Sequence, residues 1–401
     1  MNRAPHRRVA WVAGLILMAN LYLLPTVPAS PRATDVGGIA LAGWVLWRVV
    51  RGRQAVGPLA LLAFAALWPL GWLVMSLFDG DAATTSQAAR WLVAVPWAAA
   101  LSALLTDQDC RRSFAWGLVW GGAVNVAVVL LQAMGFEGAL QIVGLSTSDS
   151  AYYHYVGQMV RIPGLHGQHN ASSTVVSLVV PATLYLYFRH RCPLAVPLGA
   201  LAGFLVVLHL TSTRSPLVVA ILTVGYAFVA ARAFGRGFVI ATVLLAVAVP
   251  LVVAYGPPGG WSRWRDAQAI NVNADERLAS TVNAAALSLD HPLGLGVTRG
   301  KEALYDRSGI RATHNAFLQA AVYLGLPLGL LILVSSITVT IRSLSAGSGP
   351  LFLPGLLAFH TAGVFMFEEH LNNPTFVILA AWFLVVAVAR PPRDPGSALR
   401  G

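Results

Sequence analysis

Charge is what this chain has least of. Asp, Glu, Lys and Arg make up 11% of its 401 residues, against roughly 25% in an ordinary soluble domain, and the mean hydropathy is +0.67. Together these exclude a soluble enzyme. Lysine is nearly absent: Lys301 is the only one, so the basic excess of 27 residues over 16 acids is almost all arginine. The arginines sit in short clusters between apolar runs rather than in one stripe, which excludes a nucleic-acid surface and leaves no nucleic-acid partner to expect. Two cysteines, Cys110 and Cys192, are too few for a disulfide scaffold. Both fall in short arginine-flanked connections and are expected to be free thiols in a reducing compartment.

Long apolar runs are abundant. A helix needs about 20 predominantly apolar residues to cross a bilayer, and candidate spans lie near 9–26, 36–50, 56–78, 88–105, 114–134, 170–188, 193–210, 215–232, 237–255, 314–341, 350–367 and 374–389. The expected fold is therefore all-α, one polytopic membrane domain over 1–401 with about twelve transmembrane helices. The first run is followed by Pro25, Pro28 and Pro31 without a convincing small-residue cleavage motif, so it reads as a span rather than a removable leader.

Twelve spans put both termini on one side, and the connections separate into two sets whose arginines can be compared. The terminal side carries Arg3, Arg7, Arg8, Arg48, Arg51, Arg53, Arg111, Arg112, Arg189, Arg191, Arg232, Arg236, Arg342, Arg390, Arg393 and Arg400; the short connections opposite carry Arg32, Arg90 and Arg214. This bias predicts cytoplasmic termini. Every acid except Asp107, Asp109 and Asp394 then lies outside, together with two long connections, 135–169 and 256–313. Loops this long in a compact protein are usually functional or disordered, so the outer face reads as the working face.

Four positions there can carry chemistry. Arg214, in Thr211-Ser212-Thr213-Arg214-Ser215-Pro216, breaks two tightly spaced spans and sits at the interface, where it either finds an anionic partner or snorkels to headgroups. Asn273-Ala274-Asp275-Glu276-Arg277 reads as a helix start with Asn273 as N-cap. Leu278, Val282, Ala285 and Leu289 follow as an apolar stripe on a helix lying on the membrane or covering the bundle. Arg277 either pairs with Asp275 or Glu276 or is available for a ligand. His314, in Thr313-His314-Asn315, is expected in the first turn of the tenth span, where the helix dipole favours the neutral imidazole. It reads as a general base or as a histidine satisfied by a carbonyl.

The fourth position is the run from Arg161 through Pro163, Gly164, His166 and His169 to Asn170. Its histidines lack cysteine or acid partners at ligand spacing, so no metal site is expected, and Asp79-Gly80-Asp81 is a weak three-residue match to metal-binding acid pairs. Two arginines and a histidine on one face suggest a diphosphate site, because guanidinium binds phosphate oxygens bidentately and stays charged.

These residues resemble the O-antigen ligase and polymerase superfamily of polytopic bacterial glycosyltransferases. The likeness covers 161–341: Gly164 to Asn170; Ser212, Arg214 and Ser215; Glu276-Arg277-Leu278; Asp290-His291-Pro292-Leu293-Gly294-Leu295-Gly296; His314-Asn315 with Leu318; then Tyr323 and Gly325. The resemblance implies a large periplasmic loop between spans nine and ten, with amphipathic helices in it. It implies an inner-membrane enzyme that takes a glycan from an undecaprenyl-diphosphate carrier without cofactor or metal and passes it to a lipid A core sugar. A polymerase that uses a lipid-linked repeat unit as acceptor is the alternative, and a lipid-linked glycan transporter is the rival from another class.

Carried residue by residue, the likeness makes Arg214 and Arg277 the diphosphate clamp and His314 the group that activates the acceptor or steadies the leaving group. Asn170 and Asn315 shape the pocket, and Arg161, His169 and Ser212 are further substrate-binding positions. Gln168-His169 stands where the family often has proline before the asparagine. The Glu368-Glu369-His370 cluster also faces outward, either as a base or as solvated carboxylates.

Overall fold

The architecture is that of a computed structural model, which describes residues 4–21, 23, 32–50, 56–145, 154–156, 159–233, 267–371 and 373–389. It is an all-α bundle: α1 Ala4–Ala19, α2 Ala33–Val50, α3 Val56–Asp79, α4 Ala82–Leu104, α5 Gln108–Ala133, α6 Glu137–Ile142, α7 His169–Ser177, α8 Val179–His190, α9 Ala195–Thr211, α10 Ser215–Ala231, α11 Ala267–Asp290, α12 Val297–Ser308, α13 Ala316–Leu324, α14 Leu326–Ala346, α15 Phe352–Phe365 and α16 Pro374–Val388. One antiparallel ribbon, β1 His154–Val156 with β2 Met159–Arg161, interrupts the helices. Among the described residues three segments are long and apolar enough to cross a membrane, Gln108–Ala133, His169–His190 and Leu326–Ala346, and five shorter apolar helices accompany them. The expected span 237–255 lies outside the described residues.

Helix α5 gives the bundle its two ends. Asp109 in its first turn pairs with Arg7, and Gln132 in its last turn accepts a hydrogen bond from the Gly164 amide at 2.8 Å. The 26 residues between and around them span about 39 Å, so the Arg7 end and the Gly164 end are opposite. Arg342 joins the terminal end, donating to the carbonyls of Val386, Ala387 and Ala389 at the close of α16. Helix α1 lies so close against α5 that a Cβ at Gly117 would strike the Trp11 carbonyl oxygen and one at Gly121 the Met18 side chain. Small residues four apart permit this contact where no hydrophobic gradient drives helices together.

Three local expectations change. The tenth span is two helices: Gly325, at φ +116°, ends α13, and Pro327 opens α14 at a position where its missing N–H costs nothing. α14 folds back along α13, since a Cβ at Gly329 would lie 2.6 Å from the Phe317 carbonyl oxygen. Second, α11 begins at Ala267, so Asn273 lies inside the helix and not at its start. The bundle-facing side of α11 is Ser280, Ala284, Leu287 and Ser288, while Leu278, Val282 and Leu289 are exposed; that stripe suits a lipid surface and does not cover the bundle. Third, residues 162–167, at the end of the long connection 135–169, are packed inside the protein, with Ile162, Leu165 and His166 buried.

The Gly-rich segment 291–296 is explained by the break at Gly325. The Leu295 and Gly296 amides donate to the carbonyls of Val322 and Tyr323, and the Leu326 amide donates to Pro292. The Leu324 carbonyl is taken by the indoles of Trp68 and Trp72. Helix ends leave orphan carbonyls, and in an apolar bundle they need protein partners. Gly294, at φ +90°, approaches so closely that a Cβ would lie 2.7 Å from the Gly325 nitrogen.

Candidate functional site

At the Gly164 end, residues far apart in sequence converge on Glu368, in the connection between α15 and α16. The Ser215 hydroxyl, at the start of α10, donates to Glu368 Oε1 at 2.6 Å. Arg277, in the middle of α11, reaches the same oxygen at 3.4 Å and also donates to the Phe367 carbonyl at 2.5 Å. Asn170 Nδ2 donates to Oε2 at 3.4 Å. The carboxylate is buried, with 9% of its side chain exposed. It is therefore a junction and not a solvated surface acid, and Arg277 pairs with it in place of Asp275 or Glu276.

The neighbouring Glu369 holds the histidine loop. Its Oε1 accepts from the Thr313 amide and from the Thr313 hydroxyl, the latter at 2.6 Å. Asn315 is the N-cap of α13, accepting from the Leu318 amide at 3.0 Å. His314 therefore lies one residue outside the helix, at φ +49°, and not in its first turn. Burial pushes its imidazole below the ordinary value of 6.5, and the Arg277 guanidinium adds to this; Glu369, Glu368 and Glu276 act the other way. The neutral imidazole is favoured, for a different reason than the helix dipole.

Arg161 and His169 form a pair, guanidinium to Nε2 at 2.9 Å. Gln168 is the extended N-cap of α7 and His169 its first residue, the place where a proline would fit without loss. The histidine instead ties the ribbon to the helix beside Asn170. Ser212, at φ +54°, closes α9 and is buried; its amide donates to the His209 carbonyl. The backbone thus turns directly into Arg214, the partly buried N-cap residue of α10. Ser215, the residue after Arg214, and Arg277 meet on Glu368.

Of the acid pair near residue 80, Asp81 has a structural role. Asp81 caps α4, its Oδ1 accepting from the amides of Ala83 and Thr84 and from the Thr298 hydroxyl at 2.8 Å. Burial raises its pKa, and the hydrogen bonds from Thr84 and Thr298 outweigh that and lower it. Among the described residues no group of three or more His, Cys, Asp or Glu is placed to hold a metal ion.

Residues 199–333 match the family model described as O-Antigen ligase. The match covers less than half of the chain and supports a relationship to the O-antigen ligase and polymerase superfamily over that segment. No curated protein matches the chain. The matched segment contains Ser212, Arg214, Ser215, Arg277, His314 and Asn315. Arg161, His169, Asn170, Glu368 and Glu369 lie outside it in sequence, and Glu368 bonds directly to Asn170 on one side of the segment and to Ser215 and Arg277 within it. The match supports a membrane glycosyltransferase of O-antigen ligase or polymerase type.

Proposed function

We propose that the chain is an inverting, metal-independent glycosyltransferase that moves a glycan from an undecaprenyl-diphosphate carrier to a lipid A core sugar. It would act at the periplasmic face of the inner membrane, with both termini cytoplasmic. The observation that carries this reading is the convergence of Asn170, Ser215 and Arg277 on Glu368, with Arg214 one residue from Ser215 and His314 one residue from the Glu369-bound Thr313.

In this reading the donor diphosphate displaces the Glu368 carboxylate from Arg277 and lies between that guanidinium and Arg214. The acceptor hydroxyl oxygen attacks the anomeric carbon from the face opposite the diphosphate. The bond from that carbon to the diphosphate oxygen breaks, and the hydroxyl proton passes to the neutral His314 imidazole. Fixed guanidinium charge in a water-poor pocket stabilises the leaving diphosphate, and removing one such donor costs about 3 kcal/mol in comparable oxyanion sites. Asn170 and Asn315 shape the pocket, with Arg161, His169 and Ser212 around it.

The test is glycan transfer by purified protein in detergent with EDTA present, offering core glycolipid and lipid-linked repeat unit as separate acceptors. Transfer to the core alone supports the ligase, transfer to the repeat unit alone assigns a polymerase, and loss of transfer on chelation overturns the metal-independent scheme. Arg214→Ala, Arg277→Ala and His314→Ala should each nearly abolish transfer while leaving the protein folded and inserted.

A further inference from the structure

Away from the Glu368 site, a cleft of about 640 Å³ opens where α3 gives way to α4 and the Gly-rich segment enters α12. Its two walls are locked together. The Val297 amide donates to Thr84 Oγ1 at 2.6 Å, the Thr298 hydroxyl donates to Asp81, and a Cβ at Gly296 would lie 2.9 Å from Thr84 Oγ1. The opening is thus built into the fold rather than left between loose segments.

Its lining mixes an aromatic with opposed polar groups. Trp72 and Met75 supply apolar surface, and Asp79, Arg299 and Glu302 supply donors and acceptors, while the buried Ser76 hydroxyl is engaged with Leu73 and Thr85. Asp81 contributes charge but no free acceptor toward a ligand, because its oxygens are already engaged with Ala83, Thr84 and Thr298. Asp79 and Arg299 are more than half exposed and only 3.9 Å apart at their closest, a loose pair. Such a pair costs little to part and offers a carboxylate and a guanidinium to neighbouring hydroxyls. Three carboxylates against one guanidinium repel phosphate. An aromatic body with flanking hydrogen-bonding groups suits a sugar, whose rings carry apolar faces and hydroxyl edges.

We infer that this cleft is a saccharide subsite that holds a hydroxyl-rich, uncharged stretch of glycan away from the reacting sugar. The inference rests on the glycosyltransferase reading above. The cleft is tied to the end of α13 opposite His314, through the Gly296 amide and the Tyr323 carbonyl. The nine residues of α13 make that separation about 13 Å, beyond the reach of one sugar ring. A chain gripped there presents its end to the arginines and the histidine, and grip at a distance can be used to orient the reacting end.

The test places a reporter in the cleft. Ala83 is exposed and lines it, so Ala83→Cys gives a thiol whose maleimide labelling is followed in the full chain in detergent, with wild type as the background for Cys110 and Cys192. The ligands are lipid-linked glycan, bare undecaprenyl diphosphate, core glycolipid and inorganic phosphate, and transfer is assayed in the same samples. Several-fold slower labelling with a glycan-bearing ligand, and none with the bare carrier or phosphate, is expected. The glycan that protects identifies donor or acceptor as the occupant. Asp79→Ala with Glu302→Ala in the same background should abolish protection. Protection by the bare carrier or by phosphate, absence of protection while transfer proceeds, or full protection in the double variant each overturns the subsite. Absence of transfer in wild type instead overturns the activity.

Discussion

Arg277 and Glu368, 91 residues apart in the chain, form an ion pair across the site at 3.4 Å. The carboxylate occupies the guanidinium that the proposed mechanism assigns to the diphosphate, and it also anchors Ser215 and Asn170. A glutamine at 368 keeps one acceptor oxygen, enough for the Ser215 hydroxyl, turns its NH2 toward Asn170, and no longer competes by charge for Arg277. Glu368→Gln should therefore keep kcat within about tenfold and lower the donor KM. Glu368→Ala leaves three donors without their acceptor and should cost about a hundredfold or more in kcat/KM, on the scale of losing one preorganised group. Steady-state kinetics on both variants, with circular dichroism as the fold control, separate these outcomes; wild-type kinetics in Glu368→Ala would remove the residue from the site.

How much of this the sequence discloses varies by residue. Apolar run length is a direct consequence of bilayer thickness, so the runs at 114–134 and 170–188 read directly as spans, while those near 193–210, 215–232, 350–367 and 374–389 are shorter apolar helices. The break at Gly325 was legible in principle, since Gly325-Leu326-Pro327 is a stop followed by a start, but continuous hydropathy over 314–341 masks it. Ser212, Arg214, Arg277 and His314 stand out because charge and polarity are rare in an apolar chain. Glu368 stands out only as one of an outward cluster with two open readings, because an acid at the end of a span reads the same whether solvated or buried. Only the packing of α10, α11 and the α15–α16 connection distinguishes the two. The cap at Asn273 failed because a capping pattern of Asn and Glu also occurs inside helices, and here the chain is already helical from Ala267.

The His314 imidazole sits below 6.5 through burial first and the Arg277 charge second. As a base it must be unprotonated, so transfer should hold steady as pH falls from 7.5 to about 6.5 and decline only at lower pH, on passing the depressed pKa. Arg277→Gln removes one cause of the depression, so in whatever activity remains the acid limb should move toward higher pH. Rates of kcat/KM against pH measure this directly. An unchanged limb in Arg277→Gln would dissociate the two groups.

Gly294 and Gly325 meet backbone to backbone, and both have left-handed φ values, +90° and +116°. Gly294→Ala and Gly325→Ala should each destabilise the protein by about 1–3 kcal/mol, the scale of strained backbone. The pair shares one contact, so the double variant should lose less than the sum. Thermal unfolding in detergent, followed by tryptophan fluorescence, reads the effect. Strict additivity would mean that the two glycines act separately and that the Gly-rich segment is not the clamp on α13.

His166 predicts acid sensitivity independent of catalysis. It is fully buried, its Nε2 donates to the Met18 carbonyl at 3.1 Å, and its Nδ1 accepts from Asn373 at 3.3 Å, so the neutral ring has both nitrogens satisfied. Burial, then the Arg32 charge, brings its pKa to about 3. The unfolded chain binds the proton near pH 6.5 and the folded chain does not until about 3. Stability should thus be fully present above pH 6.5, fall as pH drops through that window, and level off below about 3. His166→Gln supplies an amide in place of the ring and does not titrate. Its melting temperature should lie below wild type at pH 7.5 and fall less steeply between pH 6.5 and 4. A parallel fall in both proteins would assign the acid sensitivity to other groups.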